Sequence, residues 1–147
     1  MGKILSVNIS NKKGKKKHNV GNCRALYNCG LENDAHAGME LRQISLLAAE
    51  SIEKIRQKGL NVSYGDFAEN LTTEGIELYT LPLGTKLKIG KDVLAEVTQI
   101  GKVCPKPCAI FYAVGDCVMP KEGIFVRVSS EGMISVGDEI MVAEKNE

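Results

Sequence analysis

No apolar stretch of this 147-residue chain approaches the roughly 20 residues that a membrane-spanning helix needs. The opening residues, Met1-Gly2-Lys3-Ile4-Leu5-Ser6-Val7, lack the long apolar region and cleavage site of a secretory leader. The expectation is a cytoplasmic protein with no membrane partner. Cysteine is sparse: the five residues are an odd number without scaffold spacing, which excludes a disulfide framework and suits a reducing compartment. No two of them stand in the paired two-residue spacing of a zinc site. Aromatic residues make up 5% of the chain and none is interleaved with the lysine cluster, which argues against a nucleic-acid partner. No repeat and no linker divides the sequence, so residues 1–147 read as one domain.

What remains is a soluble globule of ordinary composition, 44% apolar and 25% charged. Its net charge of +1 hides an asymmetry, because residues 1–30 carry seven Lys/Arg and no Asp/Glu, and residues 31–147 carry twelve against eighteen. Most of the excess lies in Lys12-Lys13-Gly14-Lys15-Lys16-Lys17-His18. That run reads as a solvated loop tip, or as a cationic arm that steers an anion such as a phosphorylated cofactor toward a cleft.

Alternating patterns predict strands at residues 3–9 and 20–27, paired across the lysine loop, and at 67–72, 76–81, 85–89, 93–99, 124–129, 133–136 and 139–143. Leu47, Ala48, Ile52 and Ile55 recur at helical spacing, with Ser45 as N-cap and Gly59 as the stop, so one helix is predicted there. Many short strands with one or two helices give a mainly β fold, a closed and mostly antiparallel barrel.

The chemistry concentrates in Gly101-Lys102-Val103-Cys104-Pro105-Lys106-Pro107-Cys108. Pro105 disfavours the helical region for Cys104, and in an extended chain the side chains of Lys102, Cys104 and Lys106 share a face. Two cations then lie about 7 Å from the thiol, each worth about 0.6 kcal/mol in water and about 2.4 kcal/mol at an effective dielectric of about 20. They draw the thiol pKa down from about 8.5 toward neutrality, which makes the sulfur a nucleophile or a soft-metal ligand. Cys108 is either a resolving partner for Cys104 or part of the apolar run 108–114; Cys23, Cys29 and Cys117 read as packing residues.

Three further segments are too polar for plain core: Asn33-Asp34-Ala35-His36-Ala37-Gly38 with Arg42-Gln43-Ile44-Ser45; Gly65-Asp66-Phe67-Ala68-Glu69-Asn70-Leu71-Thr72; and Gly123-Ile124-Phe125-Val126-Arg127-Val128. Each also has a plain structural reading. Asp34 and His36 can fix the turn before Gly38, Glu69 and Asn70 can satisfy a strand irregularity, and Arg127 can pair with Glu69 or Glu50.

Taken in order, Asp34-x-His36-Ala37-Gly38, Arg42-Gln43-x-Ser45-Leu46-Leu47, Glu69-Asn70-Leu71-Thr72, Gly101-Lys102-x-Cys104, Gly123-x-Phe125-x-Arg127-Val128 and Gly137-Asp138 resemble the molybdenum cofactor sulfurase C-terminal (MOSC) domain family across nearly the whole chain. Val103 stands where many members place a proline. The resemblance implies a compact β-barrel that binds molybdenum cofactor (molybdopterin). Cys104 would carry a persulfide or ligate molybdenum, and His36, Arg42, Asn70, Lys102 and Arg127 would contact the cofactor. The arginines and Lys102 suit its phosphate, and Asn70 suits the edge of its heterocycle. The family's full-length sulfurases also carry a pyridoxal-phosphate domain for which 147 residues leave no room, so no pyridoxal phosphate is expected. Sulfur would come from a cysteine desulfurase or other donor and pass to a molybdoenzyme or cofactor-synthesis protein. The other implied activities are a molybdenum-dependent reductase of N-hydroxylated compounds working with a redox partner, and a non-catalytic cofactor carrier.

Overall fold

The computed structural model describes residues 2–12, 16–38, 41–101 and 119–143. Along the chain run β1 (Gly2–Ile9), β2 (His18–Asn19), β3 (Asn22–Leu26), β4 (Gly30–Leu31), β5 (Ile44–Ala48), α1 (Ala49–Arg56) and β6 (Leu71–Glu74). A single 3-10 turn (Leu78–Thr80) follows, then β7 (Lys86–Ile89), β8 (Val93–Ile100), the short helix α2 (Met119–Glu122), β9 (Ile124–Ser130), β10 (Gly132–Ser135) and β11 (Glu139–Val142).

Seven strands close a barrel in the order β1-β11-β7-β8-β9-β5-β6, with β6 returning to β1. Every pairing in it is antiparallel except β5 with β6. The wall follows from side-chain alternation. In Lys86-Leu87-Lys88-Ile89 the lysines face solvent and Leu87 and Ile89 face inward, and Val93, Ala95 and Val97 repeat the pattern on β8. These meet Ile4, Val7, Leu46, Leu71, Ile124, Val126, Val128 and Ile140 in the barrel interior. A second cluster, Leu47, Ile52, Ile55, Val62, Phe67 and Phe125, packs α1 on the outer face of β5 and β9. A small sheet, β10-β3-β4, stands beside the barrel.

Four sequence expectations are corrected. Residues 44–48 form a strand rather than the first turn of the helix, because the barrel buries both faces of this run: Ile44, Leu46 and Ala48 point in and Leu47 lies under α1. Ser45 is therefore a mid-strand residue. The helix starts at Ala49 without a side-chain cap, and Gly59 ends it at φ +97° as expected. Residues 20–27 do not form the expected partner strand of β1 across the lysine loop; β3 pairs with β10 and β4, and β1 is met instead by β2 (His18, Asn19) and by the Val20 N–H, which donates to Val7 O at 2.8 Å. Residues 76–81 hold the 3-10 turn, and a turn at 64–67 followed by irregular residues 68–70, with Ala68 at φ +63°, leads into β6. The apolar run 108–114 lies outside the described residues.

Leu46→Ala, which empties a fully enclosed site, should cost about 2–5 kcal/mol. Leu94→Ala, at a position 38% exposed, should change stability by no more than about 0.5 kcal/mol. Urea denaturation of both variants checks the barrel assignment, and equal losses would contradict it.

Candidate functional site

The parallel pairing of β5 with β6 sets the starts of both strands at one end of the barrel, the end where β1 finishes. Two polar groups assemble there, and a third lies on the outer face of β8 and β9. The first is built on Asp34, whose Oδ1 accepts from the Ser10 backbone N–H at 3.0 Å and from Lys17 Nζ at 2.8 Å. Its Oδ2 accepts from the His36 backbone N–H at 3.0 Å. Lys17 Nζ also lies 3.1 Å from His36 Nδ1. The ion pair is sealed: the Lys17 side chain is 1% exposed and that of Asp34 fully buried, while His36 keeps 15% of its surface. Burial alone pushes the Asp34 carboxyl up, but the Lys17 ammonium and the backbone N–H groups of Ser10 and His36 outweigh it and hold the group well below the usual carboxylate range.

Lys17 reaches this position because its backbone N–H binds Gly65 O at 2.9 Å. Gly65 sits at φ +93°, and any Cβ there would fall 2.2 Å from the Lys17 carbonyl oxygen. Only glycine permits this approach.

The second group is Glu69 and Asn70, both fully buried. Glu69 accepts from the backbone N–H of Gly65 (2.8 Å) and Phe67 (3.2 Å) and from Thr72 Oγ1 (2.7 Å). Desolvation raises its pKa, opposed by these bonds. Asn70 accepts at Oδ1 from the Ser45 backbone N–H (2.9 Å) and donates from Nδ2 to Asn8 O (3.1 Å). Expected at the edge of a heterocycle, Asn70 instead has both side-chain polar atoms engaged within the protein, tying β1, β5 and β6 together.

Arginines form the third group. Arg42 is half-buried, stacks over Phe125 with its guanidinium carbon 5.7 Å from the ring centroid, and donates from Nε to Gln99 Oε1 at 3.2 Å. Gln99 Nε2 in turn donates to Gly101 O at 2.8 Å. Arg127 is 40% exposed on β9 and pairs with its cross-strand neighbour Glu96 at 3.3 Å, not with Glu69 or Glu50. Glu69 is enclosed by its own loop, and Glu50 binds the Gly75 backbone N–H. Lys86, at 3.2 Å, shares the same Glu96 oxygen. Lys102 and Cys104, like Cys108 and Cys117, lie outside the described residues.

The structure thus joins His36 to Lys17 and Asp34, joins Asn70 to Ser45 and Asn8, and sets Arg42, against Phe125 and Gln99, with Arg127 on the outer face of β8 and β9; among the described residues no side-chain hydrogen bond or ion pair links these three sets. Sequence reasoning passed over Lys17, which sits in a lysine run with no local mark of burial, and Gln99, which looks like any surface residue of a strand. Gln43, part of a segment that stood out in the sequence but was given no role of its own, donates to Asn28 Oδ1 (3.0 Å) and accepts from the Val128 backbone N–H (3.0 Å). A cleft of about 300 Å³ lined by Glu50, Ser51, Lys54, Tyr79 and Glu122 includes none of the predicted site residues.

A family model described as the MOSC domain matches residues 33–141. Among solved structures, the YuaD protein from Bacillus subtilis aligns with a TM-score of 0.79 at 18% identity, covering 95% of this chain and 94% of that one. YiiM from Geobacillus stearothermophilus aligns at 0.73 and 22% identity, covering 98% and 76%. YiiM from Escherichia coli aligns at 0.58 and 21% identity, covering 99% and 70%. At these identities the likeness is one of fold. No curated protein matches the chain.

Asp34→Asn leaves the Lys17 ammonium buried without its counter-charge and should cost about 3–5 kcal/mol at neutral pH. Because the folded pKa of Asp34 lies below the unfolded value of about 3.9, its contribution is complete above that value and is lost as pH falls through the folded pKa. The stability gap between wild type and variant should therefore close below about pH 4, as measured by denaturant titration across pH.

Proposed function

The chain belongs to the MOSC domain family, and on that premise we propose that it binds molybdenum cofactor and handles the metal or its sulfur through Cys104. The observation that carries this reading is the relay from Arg42 through the Gln99 side chain to the carbonyl of Gly101. Cys104 follows Gly101 by three residues, and a chain spans no more than about 11 Å in that distance. A guanidinium is thus held near the entry to the segment that bears the thiol and Lys102.

The residues present suit a pterin with a terminal phosphate. Arg42 offers a planar fork whose terminal nitrogens bond no described residue. Arg127 is partly exposed, and among the described residues nothing bonds His36 Nε2. In this reading Arg42, Lys102 and Arg127 hold the phosphate, His36 donates to an anionic oxygen, and Asn70 supports them by fixing the strands. The bound group would supply a soft metal centre and a transferable sulfur. The chain's own part is a thiolate at Cys104. It attacks the outer sulfur of a donor persulfide, forms a new S–S bond and releases the donor thiolate, with no net oxidation. A cysteine desulfurase or similar donor supplies that persulfide, and a molybdoenzyme or cofactor-synthesis protein receives the product.

The test is to express the chain in a host that makes the cofactor and to measure molybdenum and oxidised pterin in wild type, Cys104→Ser and Arg42→Gln. Wild type should carry both. Arg42→Gln should lose pterin by about tenfold or more, the scale of one charge-assisted bond. Cys104→Ser should abolish persulfide labelling after incubation with a desulfurase while keeping pterin. Wild type with neither metal nor pterin, and with no persulfide on Cys104, removes the reading.

A further inference from the structure

Lys17 is a fully buried cation with two partners, and the proposed function gives it no task. An ammonium has three hydrogens and no lone pair, so at 3.1 Å from His36 Nδ1 it can only donate. Nδ1 must then be the bare nitrogen. A carboxylate beside an imidazole ordinarily does the opposite: it draws the proton to the near nitrogen and leaves the far one bare. Here the carboxylate is otherwise occupied. Asp34 Oδ1 takes Lys17 and the Ser10 N–H, and Oδ2 takes the backbone N–H of His36 itself. The gap from Oδ2 to Nδ1 is 3.6 Å, too long for a hydrogen bond.

We propose that Lys17 is a positioning residue that holds His36 in its Nε2–H tautomer, so that the ring presents an N–H donor, rather than a lone pair, to an anionic oxygen. The assignment of that anion rests on the reading of His36 given above; the tautomer does not. The device needs Lys17 held immobile. Three features do so: the backbone bond to Gly65, the close approach that only a glycine at φ +93° allows, and the counter-charge of Asp34. With Nδ1–H instead, a bare Nε2 would face the same anion with its lone pair.

The chain has only two histidines, His18 and His36, so nitrogen-15 NMR of the imidazoles in the full-length, cofactor-free protein resolves the question directly. His36→Gln assigns the signals. At about pH 8, above the usual imidazole range, wild-type His36 should show an unprotonated Nδ1 and a protonated Nε2. Lys17→Met should lower the ratio of the Nε2–H to the Nδ1–H form by about tenfold or more, the scale of one charge-assisted hydrogen bond. Lys17→Met combined with Asp34→Asn removes both charges together and serves if the single variant does not fold. Wild type in the Nδ1–H form overturns the proposal without any variant, and so does an unchanged ratio in a folded Lys17 variant. Titration with inorganic phosphate should move the wild-type Nε2 signal. A signal that stays put while the tautomer is Nε2–H removes the anion contact and leaves the positioning role, which separates the two failures.

Discussion

One parallel pairing governs this molecule. In an otherwise antiparallel barrel, β5 and β6 run the same way, and a parallel neighbour demands a crossover that carries the chain back to its starting end. Residues 49–70 supply it: α1 descends over the outer face of the sheet, and the loop through Gly65 climbs back. That return puts Gly65, Glu69 and Asn70 beside the start of β5 and the finish of β1. A hairpin in place of the crossover would leave Asn70 at the far end from Ser45, and the Gly65 carbonyl that holds Lys17 would not be there.

Bringing three strand ends and a loop together crowds backbone groups where the ladder runs out, and buried polar groups must be satisfied. The chain answers with short polar side chains. Asn8 Nδ2 binds the Glu69 carbonyl and Thr72, Asn70 spans Ser45 and Asn8, and Glu69 gathers two backbone N–H groups of its own loop. Among the described residues only Thr73 Oγ1 is buried without a partner. The network makes this end of the barrel rigid, and a site assembled on it inherits fixed positions.

Much of the barrel was legible because most of its strands have one wet face. Lys86-Leu87-Lys88-Ile89 and Val93 to Val97 alternate, and glycines at turns such as Gly90 and Gly137 mark their ends. Legibility failed where both faces are dry. Ile44 to Ala48 is buried on each side, since one face fills the barrel and the other lies under α1, and its mostly apolar run fits a buried helix as well as a strand. Pairing failed for residues 20–27 because β10, their partner, is remote in sequence. In the site, Asp34, His36, Glu69 and Asn70 stood out as polar residues among apolar ones. Lys17 did not, because its burial comes from Gly65 and Asp34, both distant in the chain and neither signalled by its neighbours.

Charge bookkeeping ranks the cations left for a ligand. Lys17 is neutralised by Asp34 in a sealed pair and offers nothing outward. Arg127 shares Glu96 with Lys86, so its field is partly cancelled, and the exposed setting of that trio weakens each pair further. Arg42 differs from both. Its bonded partner is an amide and its stacking partner a ring, neither of which carries charge, and no described carboxylate pairs with it. Half-buried against Phe125, it keeps its full charge in a medium that screens less than bulk water. Of these three described cations, Arg42 therefore offers an arriving anion the strongest uncompensated attraction, and the amide of Gln99 ties that guanidinium to the carbonyl of Gly101.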